Sequence, residues 1–128
     1  MKVLQHYERV LRLFYDKEYD MTFDHIAVEY TDLQSEVDFY LRTFVNAELL
    51  YQDATWAFVK VGEVKIAFVS PTEHPPHIAF SVNSHDELVN IAEEYKKKIK
   101  VHRDRTESFY TSDPSGNAIE IIWYPTEP

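Results

Sequence analysis

Two short stretches of the chain place a histidine in the same sequence context, 52 positions apart. They read "DHIAVEY", which contains His25, and "PHIAFSV", which contains His77. A carboxylate, Glu120, stands inside the apolar run "AIEIIW", where an unpaired buried charge would be costly. Two imidazoles and one carboxylate leave coordination positions free and suit Fe(II), Mn(II) or a similar divalent metal. A bound cation would offset the cost of burying Glu120; an ion pair with Arg103 or Arg105 is the structural alternative.

Three predicted strands must position these residues. Successive side chains of a strand point to opposite faces, so each strand divides into two sets. In all three, large apolar residues can face the helices, while the histidine or glutamate shares the other set with an alanine. A single strand histidine is usually structural, but the agreement of three strands favours a shared hollow kept open by alanines. The polar sets are Phe23, His25, Ala27 and Glu29; His77, Ala79 and Ser81; and Ala118, Glu120 and Ile122.

The order of predicted elements occurs twice along the chain. In the first copy a strand is followed by the helix "TDLQSEVDFYLRTFV", which Thr31 or Asp32 can cap, and by the strands "AELLYQ", "TWAFVKV" and "VKIAFVS". In the second copy Ser84 can cap the helix "SHDELVNIAEEYKKKI", and the strands "KVHRDR", "SFYTS" and "NAIEIIWY" follow. The proline-containing stretch "SPTEHPP" joins the copies. The sequence therefore predicts the β-α-β-β-β order twice.

The segment before the first copy has apolar residues at helical spacing. We predict an amphipathic helix over residues 1–20 and a single domain over residues 21–128. Within the domain, module one covers residues 22–70 and module two covers residues 76–124. The N-terminal helix is expected to cover the outside of the sheet or to join a dimer interface, with capping of the cleft as the less favoured alternative.

Composition excludes several classes of function. A chain of 128 residues suits one domain. The net charge of −9 opposes binding to nucleic acid or to an anionic membrane surface, because both need a positive field. With no cysteine, thiolate metal sites and cysteine nucleophiles are excluded, so any metal must use His, Asp or Glu. The chain lacks a long apolar run and the pattern of a secretory signal, so we expect a cytoplasmic protein.

The C-terminal run "HRDRTESFYTSDPSGNAIE" places His102, Tyr110 and Glu120 around a turn. Pro114 presets the backbone angle of that turn, and Gly116 can take a positive φ before the last strand. A turn accounts for "DPSGN", but it does not account for the carboxylate in the strand that follows.

The stretches "DHIAV", "PHIAF" and "DPSGNAIEI", in this order, resemble the vicinal oxygen chelate superfamily. This superfamily includes glyoxalase I, fosfomycin-resistance proteins, bleomycin-resistance proteins and type I extradiol dioxygenases, and the resemblance covers residues 23–124. It implies an α+β fold in which two βαβββ modules form a partly open barrel around one metal. By this resemblance His25, His77 and Glu120 hold the metal, with Fe(II) or Mn(II) favoured and Zn(II) or Ni(II) also suitable. The family often forms homodimers, so a homodimer is expected.

The branches of this superfamily differ in details that the chain can be compared with. Many glyoxalases take a fourth metal ligand from the last strand of the first module, where this chain has Ala67 or Phe68. Fosfomycin-resistance proteins usually place a histidine after the glycine of the turn, where this chain has Asn117. Both branches are therefore disfavoured. The extradiol dioxygenase pattern fits better, and its matching residues are His102, Phe109, Tyr110, Asp113, Pro114, Gly116 and Glu120.

By the extradiol resemblance His102 and Tyr110 orient the substrate oxygens, and they are the candidate catalytic residues. Lys100 departs from the pattern, which has a small or β-branched residue two positions before the histidine. Extradiol enzymes are generally much longer and use a further acid–base histidine ahead of the second liganding histidine. The nearest candidate here is His74, in the joint between the modules.

The predicted function is a divalent-metal-dependent enzyme of the glyoxalase or extradiol dioxygenase type. Such an enzyme chelates adjacent oxygens of a small substrate and, with Fe(II), cleaves a catechol-like ring. One alternative is a metal-independent protein that binds a drug or metabolite, like bleomycin-resistance proteins, in a cleft lined by Trp56, Phe58, Tyr110 and Trp123. Another alternative is a thiol transferase like the fosfomycin-resistance proteins.

Overall fold

A computed structural model of the chain describes residues 20–125, and these residues run through the βαβββ order twice. Residues 1–19 of the N-terminal helix predicted for residues 1–20 lie outside this range. The elements of module one are β1 (Thr22–Glu29), α1 (Leu33–Thr43), β2 (Ala47–Gln52), β3 (Ala57–Val61) and β4 (Val64–Val69). Those of module two are β5 (His77–Val82), α2 (His85–Glu94), β6 (Lys100–Val101), β7 (Glu107–Ser112) and β8 (Ala118–Trp123).

All eight strands form one mixed sheet in the order β2-β3-β4-β1-β5-β8-β7-β6. The first strands of the two modules, β1 and β5, pair antiparallel at its centre. Each first strand also pairs in parallel with the last strand of its own module, β1 with β4 and β5 with β8. The predicted α+β fold is therefore confirmed, with a sheet that stays open. The strands that carry His25, His77 and Glu120 are direct neighbours.

The helices pack on the apolar face of the sheet, as the strand patterns predict. In module one Val37 of α1 packs against a buried cluster that includes Val59 and Phe68. In module two Leu88 of α2 packs against a second cluster that includes Ile121. Burying these side chains stabilises the fold by about 1.5–3 kcal/mol each and leaves the other face of the sheet free. Neither α1 nor α2 is long and apolar enough to cross a membrane.

Both helices begin at a predicted cap, but the second ends early. The Asp32 carboxylate accepts a hydrogen bond from the Ser35 N–H, and the Ser84 hydroxyl accepts one from the Glu87 N–H. The sequence predicts that α2 continues to Ile99, which is wrong: it ends at Glu94. Lys96 takes a positive φ of 55°, which a helix cannot accommodate, so the lysine-rich stretch lies beyond the helix.

The strand predicted over "KVHRDR" is also shorter than expected, because only Lys100 and Val101 pair with β7. The chain then turns: the Arg105 N–H donates to the His102 carbonyl, and Arg105 has a φ of 72°. The Asp104 carboxylate holds this turn by accepting hydrogen bonds from the N–H and hydroxyl of Thr106. His102 is thus carried by a turn and not by a strand.

A bulge interrupts β1 and corrects the prediction for Phe23. The register with β5 pairs Phe23 with Phe80 and then His25 with Ala79, so that Asp24 is an extra residue. A bulge shifts the alternation by one position. Phe23 therefore lies against the ring of Phe80, at a centroid distance of 6.2 Å, on the helix side of the sheet and not on the face of His25.

Candidate metal centre

The three predicted ligands lie on neighbouring strands and are separated by alanines. Across the sheet, His25 pairs with Ala79, and Ala79 pairs in turn with Glu120, so these three residues form one row. His77 lies in the next row and is also flanked by an alanine on each side. Because alanine side chains are short, the imidazoles and the carboxylate can lean together over them.

Three ligand atoms converge at distances that suit a bound cation. The Nε2 atoms of His25 and His77 are 3.3 Å apart. The Glu120 Oε1 atom lies 3.5 Å from His25 Nε2 and 3.2 Å from His77 Nε2. Metal–ligand bonds of about 2.0–2.2 Å separate ligand atoms by about 3.0 Å at right angles and about 3.4 Å in a tetrahedron. The three separations agree with these values.

The other nitrogen of each ring is held by a hydrogen-bond acceptor. His25 Nδ1 lies 2.7 Å from Asp24 Oδ2, and His77 Nδ1 lies 2.7 Å from the Pro75 carbonyl oxygen. A carboxylate and a carbonyl can only accept, so each Nδ1 carries the proton and donates. In the neutral rings the lone pair is then on Nε2, which points into the centre. This donor set fits a divalent metal.

The bulge in β1 allows Asp24 to reach His25. Residues that are adjacent in a regular strand point to opposite faces, but a bulge changes the direction of a side chain. The Asp24 carboxylate also accepts a hydrogen bond of 2.6 Å from the Tyr124 hydroxyl, immediately after β8. Burial opposes the charge of Asp24, but the hydrogen bonds from His25 and Tyr124 keep its pKa below the usual value.

The electrostatics of the cluster favour a positive charge at its centre. Burial lowers the pKa of His25, but hydrogen bonds to Asp24 and Glu120 outweigh it and raise this pKa to about 9. Burial likewise raises the pKa of Glu120, but hydrogen bonds from His25, His77 and Ser108 hold it well below its usual range. At neutral pH, without a metal, a proton on His25 neutralises the Glu120 carboxylate. A metal ion and this proton compete for the same place.

The arginine alternative for Glu120 is wrong. Among residues 20–125, the ion pairs of Glu120 are with His25 and His77. Arg103 is exposed on the wall of the cavity next to the cluster, and Arg105 is exposed in the following turn.

A cavity of about 550 Å³ opens over the three ligand residues. Its walls combine aromatic rings with groups that can form hydrogen bonds. The sequence places Trp123 in this wall, but Trp123 lies on the helix side, where it packs against His85 and the α2 cluster. The wall residues used below are Tyr51, Trp56, Phe58, His74, His102, Tyr110 and Tyr124.

Both predicted catalytic residues line this cavity. The Tyr110 ring packs edge-on against His77 at 5.1 Å, and its hydroxyl donates to the Glu120 carboxylate. Burial and the Glu120 charge raise the pKa of Tyr110, so its hydroxyl keeps the proton at neutral pH. His102 Nε2 lies 2.7 Å from the Ser108 hydroxyl.

His74 also reaches the cavity, although it lies in the joint between the modules. The N–H groups of Glu73 and His74 both donate to the Ser70 carbonyl, which holds the joint in a turn. Burial lowers the pKa of His74, so its ring is neutral at neutral pH. The ring makes no hydrogen bond with another residue of the described range.

The last strand of module one supplies no fourth ligand. Ala67 pairs with Ala27 in module one as Glu120 pairs with Ala79 in module two, so Ala67 is the counterpart of Glu120. It lines the cavity, whereas Phe68 faces α1. The pairing register thus identifies Ala67 as the relevant position of the two that the sequence left open.

Sequence reasoning missed three residues that support the cluster: Asp24, Ser108 and Tyr124. Asp24 stands directly before His25, but regular alternation places it on the opposite face. Tyr124 is 100 positions from Asp24 along the chain, and no local pattern connects them. Ser108 has the same parity as Tyr110 and Glu120, and this is the one signal that could have found it.

No protein-family model matches the chain, and no curated protein matches it in sequence. Solved structures do match. Methylmalonyl-CoA epimerase from Mycobacterium tuberculosis has a TM-score of 0.65 and 13% identity, over 82% of this chain and 89% of its own. A glyoxalase/bleomycin resistance protein/dioxygenase superfamily member from Vibrio splendidus 12B01 has a TM-score of 0.60 and 11% identity, over 82% of this chain and 100% of its own.

A 2,3-dioxygenase from Pseudomonas sp. KL28 matches with a TM-score of 0.57 and 20% identity. The match covers 83% of this chain but 43% of the dioxygenase, so the chain spans less than half of that enzyme. At such identities the likeness concerns the fold. The chain has the vicinal oxygen chelate fold that its motifs predict.

Proposed function

We propose that this chain is a divalent-metal-dependent enzyme in which His25, His77 and Glu120 hold the metal and a small substrate binds through two adjacent oxygens. The convergence of two Nε2 atoms and one carboxylate oxygen within 3.2–3.5 Å of one another carries the proposal. The lack of a fourth donor at Ala67 supports an open site, because it leaves coordination positions for a chelating substrate.

The metal would supply Lewis acidity to the bound oxygens and, if it is Fe(II), a binding position for dioxygen. The chain supplies the rest of the site. The Glu120 carboxylate offsets one of the two positive charges of the metal, the neutral histidines donate lone pairs, and the cavity encloses the substrate. Tyr110 holds its proton on the hydroxyl that faces Glu120, next to the position where substrate oxygens would bind.

The hydrogen bonds around His102 determine which of its atoms can serve the substrate. The Ser108 hydroxyl has one proton and donates it to the Glu120 carboxylate, which can only accept. Ser108 must therefore accept from His102 Nε2–H. Nδ1 of the neutral ring is then a lone-pair acceptor, suited to take the proton of a substrate hydroxyl.

Fe(II)-dependent cleavage of a catechol-like ring is the specific reaction we favour. It is supported by the match of the C-terminal run to the extradiol pattern and by the likeness of the fold to a 2,3-dioxygenase. The Tyr110 proton is held by Glu120, so the Tyr110 oxygen can accept a hydrogen bond from one substrate hydroxyl, while His102 can accept the proton of the other; this pair suits a substrate with two hydroxyl groups. Mn(II) is the next choice of metal, followed by Zn(II) and Ni(II).

Metal analysis tests the proposal directly. Protein purified anaerobically without a His tag is expected to bind about one equivalent of Fe(II) or Mn(II). The double change His25→Ala, Glu120→Ala is expected to abolish this binding. His85→Ala is the matched control, because His85 pairs with Glu107 outside the cavity. Less than about a tenth of an equivalent in the unaltered protein would overturn the proposal.

Oxygen uptake with Fe(II)-loaded protein and catechol tests the specific reaction. Replacing Tyr110 by Phe removes the hydroxyl and keeps the ring, so kcat is expected to fall by about 100-fold with metal content unchanged. No oxygen uptake with any substituted catechol would reject ring cleavage while leaving the metal site in place.

The aromatic wall favours one second candidate, a metal-independent protein that binds a flat drug or metabolite. Tyr51 and Trp56 lie 4.8 Å apart at an angle of 32°, and Phe58 extends the surface toward His25. Such rings can stack on a planar ligand. Ligand binding that survives a chelator and the change His25→Ala, Glu120→Ala would favour this candidate. The thiol-transferase alternative, the homodimer and the cytoplasmic location stay predictions.

A further inference from the structure

Asp24 and Tyr124 form an arm that reaches His25 from outside the ligand set. The Tyr124 hydroxyl donates to Asp24 Oδ2 at 2.6 Å, and His25 Nδ1 donates to the same oxygen at 2.7 Å. The Asp24 side chain is 9% exposed, so water competes little for its oxygens. The bulge at Asp24 is the backbone feature that brings its carboxylate to this position.

The arm fixes the His25 ring in two ways. As an acceptor at Nδ1, the carboxylate holds the proton there and keeps the Nε2 lone pair directed toward the centre. As a negative charge, it makes the ring a stronger electron donor to a cation at Nε2. Tyr124 completes the arm, because its hydrogen bond holds the carboxylate in place across the boundary between the modules.

We propose that Asp24 is the positioning residue of the metal centre and that Tyr124 holds Asp24 in place. This inference rests on the proposed function, since it concerns the strength with which His25 binds a metal. It goes beyond the ligand set because it assigns a role to the Asp24 carboxylate, which accepts from Nδ1 of His25. His77 has no such carboxylate at its Nδ1. His77 donates instead to the Pro75 backbone carbonyl, which carries no net charge.

The affinity for Zn(II), measured by competition with a chromophoric chelator, tests the proposal. At a pH above the His25 pKa, where no proton competes for Nε2, Asp24→Ala is expected to weaken binding by about 10–100-fold. Asp24→Asn keeps an acceptor of the same shape without the charge, so its loss should be intermediate. Tyr124→Phe removes the hydrogen bond from Tyr124 to Asp24 and should cause the smallest loss of Zn(II) affinity, about threefold.

Glu107→Ala is the matched control, because Glu107 and His85 form another carboxylate–histidine pair, with Nε2 and Oε1 2.9 Å apart, outside the cavity. Its affinity for Zn(II) is expected to equal that of the unaltered protein. Circular dichroism verifies that each variant is folded. If Asp24→Ala does not fold, the isosteric Asp24→Asn decides the outcome.

A second readout distinguishes positioning from a structural role. In protein labelled with ¹⁵N-histidine, the Nδ1 proton of His25 is expected at low field and in slow exchange with water. It should move upfield and exchange faster in Asp24→Ala, while the Nδ1 proton of His77 keeps its position. The same proton can be observed with and without Zn(II).

The two readouts separate failure of this inference from failure of the proposed function. If the unaltered protein binds none of Fe(II), Mn(II) and Zn(II), the proposed function fails, and the inference about metal affinity fails with it. If it binds Zn(II) but both Asp24 variants bind within twofold of it and keep the His25 resonance unchanged, only the positioning role is overturned.

Discussion

The two modules present the same His-Ile-Ala sequence on equivalent strands but support the histidine differently. In module one the chain bulges at Asp24, so that a side chain becomes the acceptor for His25 Nδ1. In module two the position before His77 is Pro76, which has no polar side chain, and the Pro75 carbonyl is the acceptor. The ligand atom is the same in both, but the acceptor differs in charge.

The last strands of the modules also differ, but here the carboxylate belongs to module two and not to module one. Glu120 on β8 is the proposed carboxylate ligand, whereas its counterpart on β4 is Ala67. Module one thus has a carboxylate, Asp24, that accepts a hydrogen bond from Nδ1 of its histidine. Module two has a carboxylate, Glu120, that lies near Nε2 of its histidine. This arrangement gives the cluster the charge it needs to hold a cation while keeping one side open.

The largest expected effect tests whether the two histidines are equal as ligands. His25→Ala and His77→Ala should each weaken Mn(II) or Zn(II) binding by at least about 1,000-fold, because each removes one of three donors. Titration calorimetry measures this loss, with His102→Ala, which removes no ligand, as the comparison. If one of the two changes cost less than tenfold, that histidine would not be a ligand.

The pH dependence of metal binding tests the effect of the Asp24 charge on His25. Binding requires a neutral His25, and its pKa of about 9 means that the metal must displace a proton at neutral pH. Apparent affinity should therefore rise with pH, by about 100-fold between pH 6.5 and 8.5, and level off near pH 9.

The arm variants make this prediction specific to Asp24. Asp24→Ala removes a hydrogen bond and a charge that raise the His25 pKa, so the rise with pH should end at a lower pH than in the unaltered protein. The measurement is chelator competition across the pH range in matched ionic strength. The assignment of this effect to Asp24 would be contradicted if metal affinity did not depend on pH, or if it rose with pH in the same way in Asp24→Ala and in the unaltered protein.

A carboxylate on β4 at the counterpart of Glu120 should strengthen metal binding and block the coordination positions left for substrate. Ala67→Glu places a second carboxylate at the counterpart of Glu120, so affinity for Zn(II) should rise by about tenfold. The same side chain would occupy the position left for substrate, so binding of 4-nitrocatechol to the loaded protein, followed by its absorbance, should fall. Ala67→Gln is the uncharged control. Unchanged binding of both metal and 4-nitrocatechol would show that residue 67 does not face the metal.

Much of the fold and the convergence of His25, His77 and Glu120 could be predicted because both depend on local periodicity. Alternation along β1, β5 and β8 separates the helix face from the site face, and cap residues mark the starts of α1 and α2. The three proposed ligands follow from agreement among three strands. Each of these signals is contained within a few consecutive residues.

The errors share a physical cause, which is a local break in that periodicity. The bulge at Asp24 moves Phe23 to the other face, and positive φ angles at Lys96 and Arg105 end α2 and β6 early. Neither lysine nor arginine indicates a positive φ in the sequence, since both residues are ordinary helix formers. The pairing of Asp24 with Tyr124 depends on the sheet register, which is set by the whole fold.

The smallest expected effect concerns the helix caps, where the modules are alike. Asp32 and Ser84 each accept a hydrogen bond from a backbone N–H in the first turn of their helix. Replacing either residue by Ala should lower the free energy of unfolding by about 1 kcal/mol. Because neither cap contacts the cavity, affinity for Zn(II) should stay within twofold of the unaltered protein. Urea unfolding of the metal-free variants gives the first quantity and chelator competition the second. A cap change that weakened metal binding as much as Asp24→Ala would mean that metal affinity responds to general loss of stability. The loss in Asp24→Ala could then not be attributed to the acceptor at His25 Nδ1.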